Sequence, residues 1–149
     1  MAAHLTSLGP QGGVAFLAYP SVTVSDYSAG THTITLDNEI FDVGSNFASN
    51  TFTAPVTGKY QLNFMLRMEQ LDNAGAHIYS RIVTSNRGYV NIWFTQGFAS
   101  DMTWFTLSLS ACADMDASDT AYCGMVIGAG AVQLDTEPSS THFSGFLIG

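Results

Sequence analysis

Between Lys59 and Glu69 the chain alternates. Tyr60, Leu62, Phe64, Leu66 and Met68 share one parity; Lys59, Gln61, Asn63, Arg67 and Glu69 share the other, with Met65 the apolar exception. A period of two is the signature of a strand with one face in a core and one toward solvent. The spacing predicts further strands near Val14–Tyr19, Thr31–Leu36, His77–Thr84, Tyr89–Thr95, Thr103–Met115, Thr120–Ile127 and Thr141–Ile148. Turn-forming clusters separate them: Asp72-Asn73-Ala74-Gly75, Ser85-Asn86-Arg87-Gly88, Asp116–Asp119 and Gly128-Ala129-Gly130. Seven or more strands at this spacing, with no long helical period, read as an all-β sandwich or jelly roll. The expected core includes Phe16, Tyr60, Leu62, Phe64, Phe143 and Phe146.

The stretch Thr103–Met115 has two unlike faces. Phe105, Leu107, Leu109, Ala111 and Met115 form the apolar one. Trp104, Thr106, Ser108, Ser110 and Cys112 form the other, mostly of small side chains that let another backbone come close. In the next predicted pair, Tyr89, Asn91 and Trp93 alternate with Val90, Ile92 and Phe94, and Phe98 follows. One of these sets must face away from the core, which places aromatic or aliphatic side chains at the surface, suited to an oligomer contact, a capsid contact or sugar stacking.

Two short motifs punctuate this pattern. Phe52-Thr53-Ala54-Pro55-Val56-Thr57-Gly58-Lys59-Tyr60 reads as a corner that opens a strand. Pro55 lacks a ladder donor, and Gly58 is read as supplying the backbone freedom of a tight bend. Phe143-Ser144-Gly145-Phe146-Leu147-Ile148 is an apolar strand with a glycine at its centre, where a ring or backbone can approach closely. Together they resemble the globular head of the complement C1q/tumour-necrosis-factor (TNF)-like superfamily, over about Gly13 to Gly149. Val14–Ala18 is similar to its first strand, Phe41 and Asn46-Phe47 to the strand before its proline corner, and Asp116–Thr120 to its acidic turn. The resemblance implies a jelly-roll β-sandwich that assembles as a homotrimer. It also implies that the strand Thr103–Met115 lies near the threefold axis, making Trp104, Thr106, Ser108, Ser110 and Cys112 trimer-interface residues.

Composition agrees with a surface reserved for protein contact. Apolar residues make up 46% of the 149 residues and charged residues only 11%, against about 25% in an ordinary globular domain. The length suits one domain, 13–149, preceded by a small polar arm, 1–12, in which Leu5 and Leu8 are candidate partner anchors. The net charge is −8, with only Lys59, Arg67, Arg81 and Arg87 positive. No basic stripe is present to neutralise phosphates, so neither nucleic acid nor an anionic membrane is an expected partner. No apolar run reaches the roughly 18 residues of a spanning helix. The N-terminus has no signal-peptide pattern, and no collagen-like stalk is expected.

Candidate chemistry is sparse. Cys112 and Cys123 sit opposite one another if the segment folds as a hairpin centred between Ala117 and Ser118. Cross-strand Cβ atoms lie about 4.5–5.5 Å apart and a disulfide prefers about 3.5–4.5 Å, so a bridge there is strained and reduced thiols are the default. Asp114, Asp116 and Asp119 lack the spacing of a calcium loop and read as a solvated acidic turn. His4, His32, His77 and His142 are scattered without a ligand spacing, and no nucleophile elbow or phosphate loop occurs. The chain is therefore expected not to be an enzyme, and to bind neither cofactor nor metal.

The resulting expectation is a structural virion protein: a trimeric capsid decoration, or cement, protein stabilising a phage head. Its expected partners are itself and the major capsid protein, and its place the virion surface, after assembly in the host cytoplasm. The step to phage rests on analogy with stand-alone domains of this kind. The rival is an extracellular receptor- or glycan-binding module such as a tail-fibre tip.

Overall fold

The computed structural model describes residues 13–128, 134–138 and 140–149; the arm 1–12, with Leu5 and Leu8, lies outside them. The described residues form thirteen strands. They are β1 (Ala15–Tyr19), β2 (Val24–Tyr27), β3 (Gly30–Thr33), β4 (Asn38–Val43), β5 (Phe47–Ala48), β6 (Thr51–Thr53) and β7 (Gly58–Leu71). There follow β8 (Ile78–Thr84), β9 (Gly88–Trp93), β10 (Met102–Met115), β11 (Thr120–Ile127), β12 (Leu134–Thr136) and β13 (His142–Leu147). A single turn of 3-10 helix, Thr95–Gly97, joins β9 to β10. The strands expected from alternation are present. The additional β2 and β4 are partly exposed on both faces, so they carry no period-two signal.

All pairing is antiparallel and divides into two sheets. The first runs β2-β12-β7-β13-β1-β4, with β10 along the other side of β7. The second runs β5-β6-β11-β8-β9, with β3 also on β11. From β7 onward the chain passes from the first sheet to the second at β8, back at β10, across at β11 and back at β12. Consecutive strands β10 and β11 are thus not partners, and the sandwich is a jelly roll.

The core lies between the sheets and is anchored by aromatic rings. Phe16 of β1 stacks on Phe47 of β5 and Phe52 of β6, at 5.1 and 4.7 Å between centroids. Phe143 of β13 meets Phe16 edge-on at 5.0 Å. Offset and edge-on arrangements of this kind suit ring quadrupoles. Tyr60, Leu62, Phe64, Leu66 and Met68 of β7 are all buried. The Tyr60 hydroxyl donates to the Val56 carbonyl at 2.7 Å, fastening the proline corner to its strand. Gly58 has no positive φ, so backbone freedom is not its role. A Cβ there would lie 2.7 Å from Leu147 Cδ1 and 3.2 Å from the Gly149 carbonyl oxygen; it provides room for the C-terminus.

Phe146 corrects one core expectation. It is 48% exposed. Phe143 and Gly145 face the core, so the intervening parity sends Ser144 and Phe146 outward. The inward position opposite Phe16 is filled by Gly145, where a Cβ would come within 2.7 Å of the Phe16 ring and 2.8 Å of Leu62.

Candidate functional site

The outer face of the first sheet is built from β10, β7, β13, β1 and β4. Strand β10 forms one margin. Its Trp104, Thr106, Ser108, Ser110 and Cys112 are all exposed, while Leu107, Ala111, Ala113 and Met115 point into the core. Register places Glu69, Arg67, Met65, Asn63 and Gln61 of β7 directly beside the five outward residues. Beyond them come Phe146, Ser144 and His142 of β13, then Ala15 and Leu17 of β1, then Val43 and Phe41 of β4.

This face has a polar middle, a charge-paired end around Trp104 and an apolar side. Gln61 Nε2 donates to Ser110 Oγ at 2.7 Å, and Ser110 Oγ donates to Asn63 Oδ1 at 2.8 Å. At one end the Arg67 guanidinium lies 5.7 Å from the Trp104 ring centre and pairs with Glu137 at 3.2 Å and Glu69 at 3.6 Å. Trp104 Nε1 donates to Glu69 Oε1 at 3.1 Å. The charged groups at this end are already matched, so covering them strands no lone ion. At the other side Phe41, Val43 and Phe146 are exposed. A shallow depression of about 280 Å³ opens among Leu17, Tyr19, Ile40, Pro138, Thr141 and His142.

The cysteines require a correction. Cys112 lies beside Gln61 in the first sheet and Cys123 beside Ile82 in the second. The turn Asp116–Asp119 carries the chain between sheets, so the hairpin that would face them does not exist. Both thiols are free; Cys112 is exposed and Cys123 buried. Burial holds the Cys123 thiol well above its ordinary value, keeping it protonated and unreactive.

The acidic turn is internally committed. Asp114 pairs with Arg87 at 2.8 Å. Asp119 Oδ2 accepts from the Asp116 amide at 2.8 Å and from Asn86 Nδ2 at 3.0 Å. Among the described residues no group of three His, Cys, Asp or Glu side chains is placed to hold a metal ion.

The aromatic stretch divides between faces. Trp93 shares the inward parity of Tyr89 but lies at the open edge of β9, 45% exposed, with Phe98 at 6.1 Å and Phe105 at 5.5 Å. Tyr89 is half-buried, with its phenol raised mainly by desolvation. Val90 and Ile92 face outward from β9, and Phe94 beyond it is 62% exposed. Strands β9 and β10, the margins of the two sheets, are tied by Asn91 Nδ2 donating to the Ser108 carbonyl at 2.9 Å.

No family model matches the chain, and no curated protein matches it in sequence. Solved structures do match in three dimensions. The globular domain of zebrafish complement 1qA protein superposes with a TM-score of 0.62 at 17% identity, over 91% of this chain and 98% of that one. The protein has the C1q/TNF-like jelly-roll fold. Murine APRIL matches with a TM-score of 0.64 at 9% identity, over 91% and 98%. The Eiger TNF from S. frugiperda gives 0.61 at 12%, over 92% and 93%. At these identities the likeness concerns the fold. Within this C1q/TNF-like sandwich the five outward residues of β10 are brought onto one surface with Gln61, Asn63, Phe41, Val43 and Phe146. Sequence reasoning missed the second group as surface partners because their adjacency depends on which strands pair. The odd Met65 and the three-residue spacing of Phe143 and Phe146 were the available signals.

Proposed function

We propose that the protein is a non-enzymatic, multivalent binding domain that works as a homotrimer, joined through the outer face of the first sheet. The observation that supports this reading is the face itself: a pre-bonded polar centre, matched charges and exposed Phe41, Val43 and Phe146. C1q/TNF-like domains are typically homotrimeric, which fits self-association through one sheet. Three copies fixed on a rigid body turn weak single contacts into tight attachment. Its use, in our reading, is structural: decoration of a phage capsid, each trimer bridging neighbouring major capsid subunits.

The assembly is tested by light scattering and alkylation. The wild type should show about three times the 15.9 kDa chain mass, with Cys112 slow to react with iodoacetamide. Ser108→Arg places a charge at the centre of the face and should give a folded 15.9 kDa species with fast Cys112 alkylation. A trimeric Ser108→Arg variant with unchanged alkylation refutes the assignment. Location is tested separately by labelling purified virions: even decoration of heads supports the structural role, and label confined to tails, with glycan binding, supports the recognition-module alternative instead.

A further inference from the structure

The second sheet has an unusual charge distribution. Its six strands, β3, β5, β6, β8, β9 and β11, contain one Lys, Arg, Asp or Glu among them, Arg81. Arg81 stands on the outer face of β8, between Gly124 of β11 and Val90 of β9. Gly124 is what lets its side chain lie flat across the sheet: a Cβ there would meet Arg81 Nε at 2.9 Å and the His32 carbonyl oxygen at 2.7 Å. The neighbours on the same face are Tyr79, Val83, Tyr122, Val126 and Ile92. None of them is charged. The nearest imidazoles are committed elsewhere, His77 stacked on Tyr79 at 4.8 Å and His32 bonded to the Ser28 carbonyl at 2.8 Å.

Among the described residues the Arg81 side chain has neither an ion pair nor a hydrogen bond, and its Nε is sealed from solvent without a partner. The other two arginines differ. Arg67 is paired with Glu69 and Glu137, and Arg87 with Asp114. In a chain with 12 acidic and 4 basic residues, a guanidinium left unpaired amid apolar and aromatic side chains is out of keeping with the general balance. A planar fork of donors in low-dielectric surroundings is matched best by a carboxylate, taken end-on by the two Nη groups. The apolar rim would exclude water from that pair and strengthen it.

We propose that the outer face of the second sheet is a docking surface for a partner protein that presents an aspartate or glutamate side chain flanked by apolar residues, with Arg81 as the receiving group. Charge complementarity selects this occupant. The surface lies on the opposite side of the sandwich from the self-association face, so the inference rests on the proposed trimer only in that the trimer leaves it uncovered.

The test is an NMR titration of the arginine Nε–Hε signals with acetyl-Leu-Asp-Leu-amide against acetyl-Leu-Asn-Leu-amide. The aspartyl peptide should move Arg81 and the methyls of Val90 and Ile92, and leave the Arg67 and Arg87 signals still. Its midpoint should lie at roughly tenfold lower concentration than that of the asparaginyl peptide. Arg81→Gln should remove that difference while keeping the wild-type amide spectrum elsewhere, and Arg81→Lys should restore only part of it. Equal response to both peptides, an equal response to inorganic sulfate, or no response at Arg81 each overturn the proposal. So does loss of the oligomer in Arg81→Gln, which would assign the face to a second copy. Failure of the trimer reading is recognised independently, through the mass of wild type and Ser108→Arg.

Discussion

Phe143 and Phe146 stand three residues apart in one strand and therefore on opposite faces. Phe143 touches Phe16 and Phe47 in the core; Phe146 lies on the outer face beside Gln61 and Ala15. Phe143→Ala should lower unfolding free energy by about 3–5 kcal/mol, the usual cost of emptying a buried ring site. Phe146→Ala should change it by no more than about 0.5 kcal/mol in dissociated protein, yet shift the assembly equilibrium toward monomer. Urea denaturation at low protein concentration, paired with light scattering, separates the two effects. A large stability loss in Phe146→Ala would contradict its outward placement. That both residues lie in a strand was legible from their apolar run. Which of them is core was not, because both parities carry a phenylalanine and only Gly145 against Phe16 decides between them.

Among the elements, the connection from β4 to β5 depends on one side chain. The Asp42 carboxylate accepts from the Asn46 amide at 3.0 Å and from the Phe47 amide at 2.9 Å. It thereby closes a loop in which Gly44 and Ser45 both adopt positive φ, at 95° and 55°. This loop delivers Phe47 to its stack on Phe16. Asp42→Ala removes the acceptor from two backbone donors and should cost about 1–3 kcal/mol. Hydrogen exchange should quicken first at Asn46 and Phe47, and an unchanged exchange rate at both would refute the loop's dependence on Asp42. The long strands β7 and β10 were readable from alternation, since each keeps one face covered over most of its length. The short β5 and β6, of two and three residues, were not, because a period cannot be established over so few positions. They exist because Phe47 and Phe52 are held in the aromatic core.

Across the whole molecule, buried phenols set the alkaline limit. Burial raises Tyr27, Tyr60 and Tyr89 above the ordinary value of 10.0. A group whose folded pKa is raised holds its proton more tightly when folded. Its contribution is complete below the unfolded value and is lost as pH rises through the folded one. Cys123 acts in the same direction. Urea midpoints should therefore fall from about pH 9 upward, first through Cys123 and then through the phenols, and Tyr27→Phe with Tyr89→Phe should flatten the part of the fall above about pH 10. An equally steep decline in the double variant would place its origin elsewhere. At the acid end, Asp37 is lowered by the hydroxyl and amide of Ser21; its contribution is present above its unfolded pKa and disappears as pH falls through the lowered one.

The sequence by itself determined that this chain is all β, where its long strands run, and that its surface is poor in charge. These properties follow from composition and from a side-chain period of two, and both are local. The motifs around Pro55 and Gly145 carried the superfamily resemblance as well. Only the tertiary structure decided which strands share a sheet. β10 and β11 follow one another in the chain yet lie in different sheets, which separates Cys112 from Cys123. Strands far apart in sequence put Phe41, Gln61, Ser110 and Phe146 on one face, and leave Arg81 alone among the six strands of the other sheet. Pairing between distant segments is set by how the whole core closes around Phe16, and no local pattern records it.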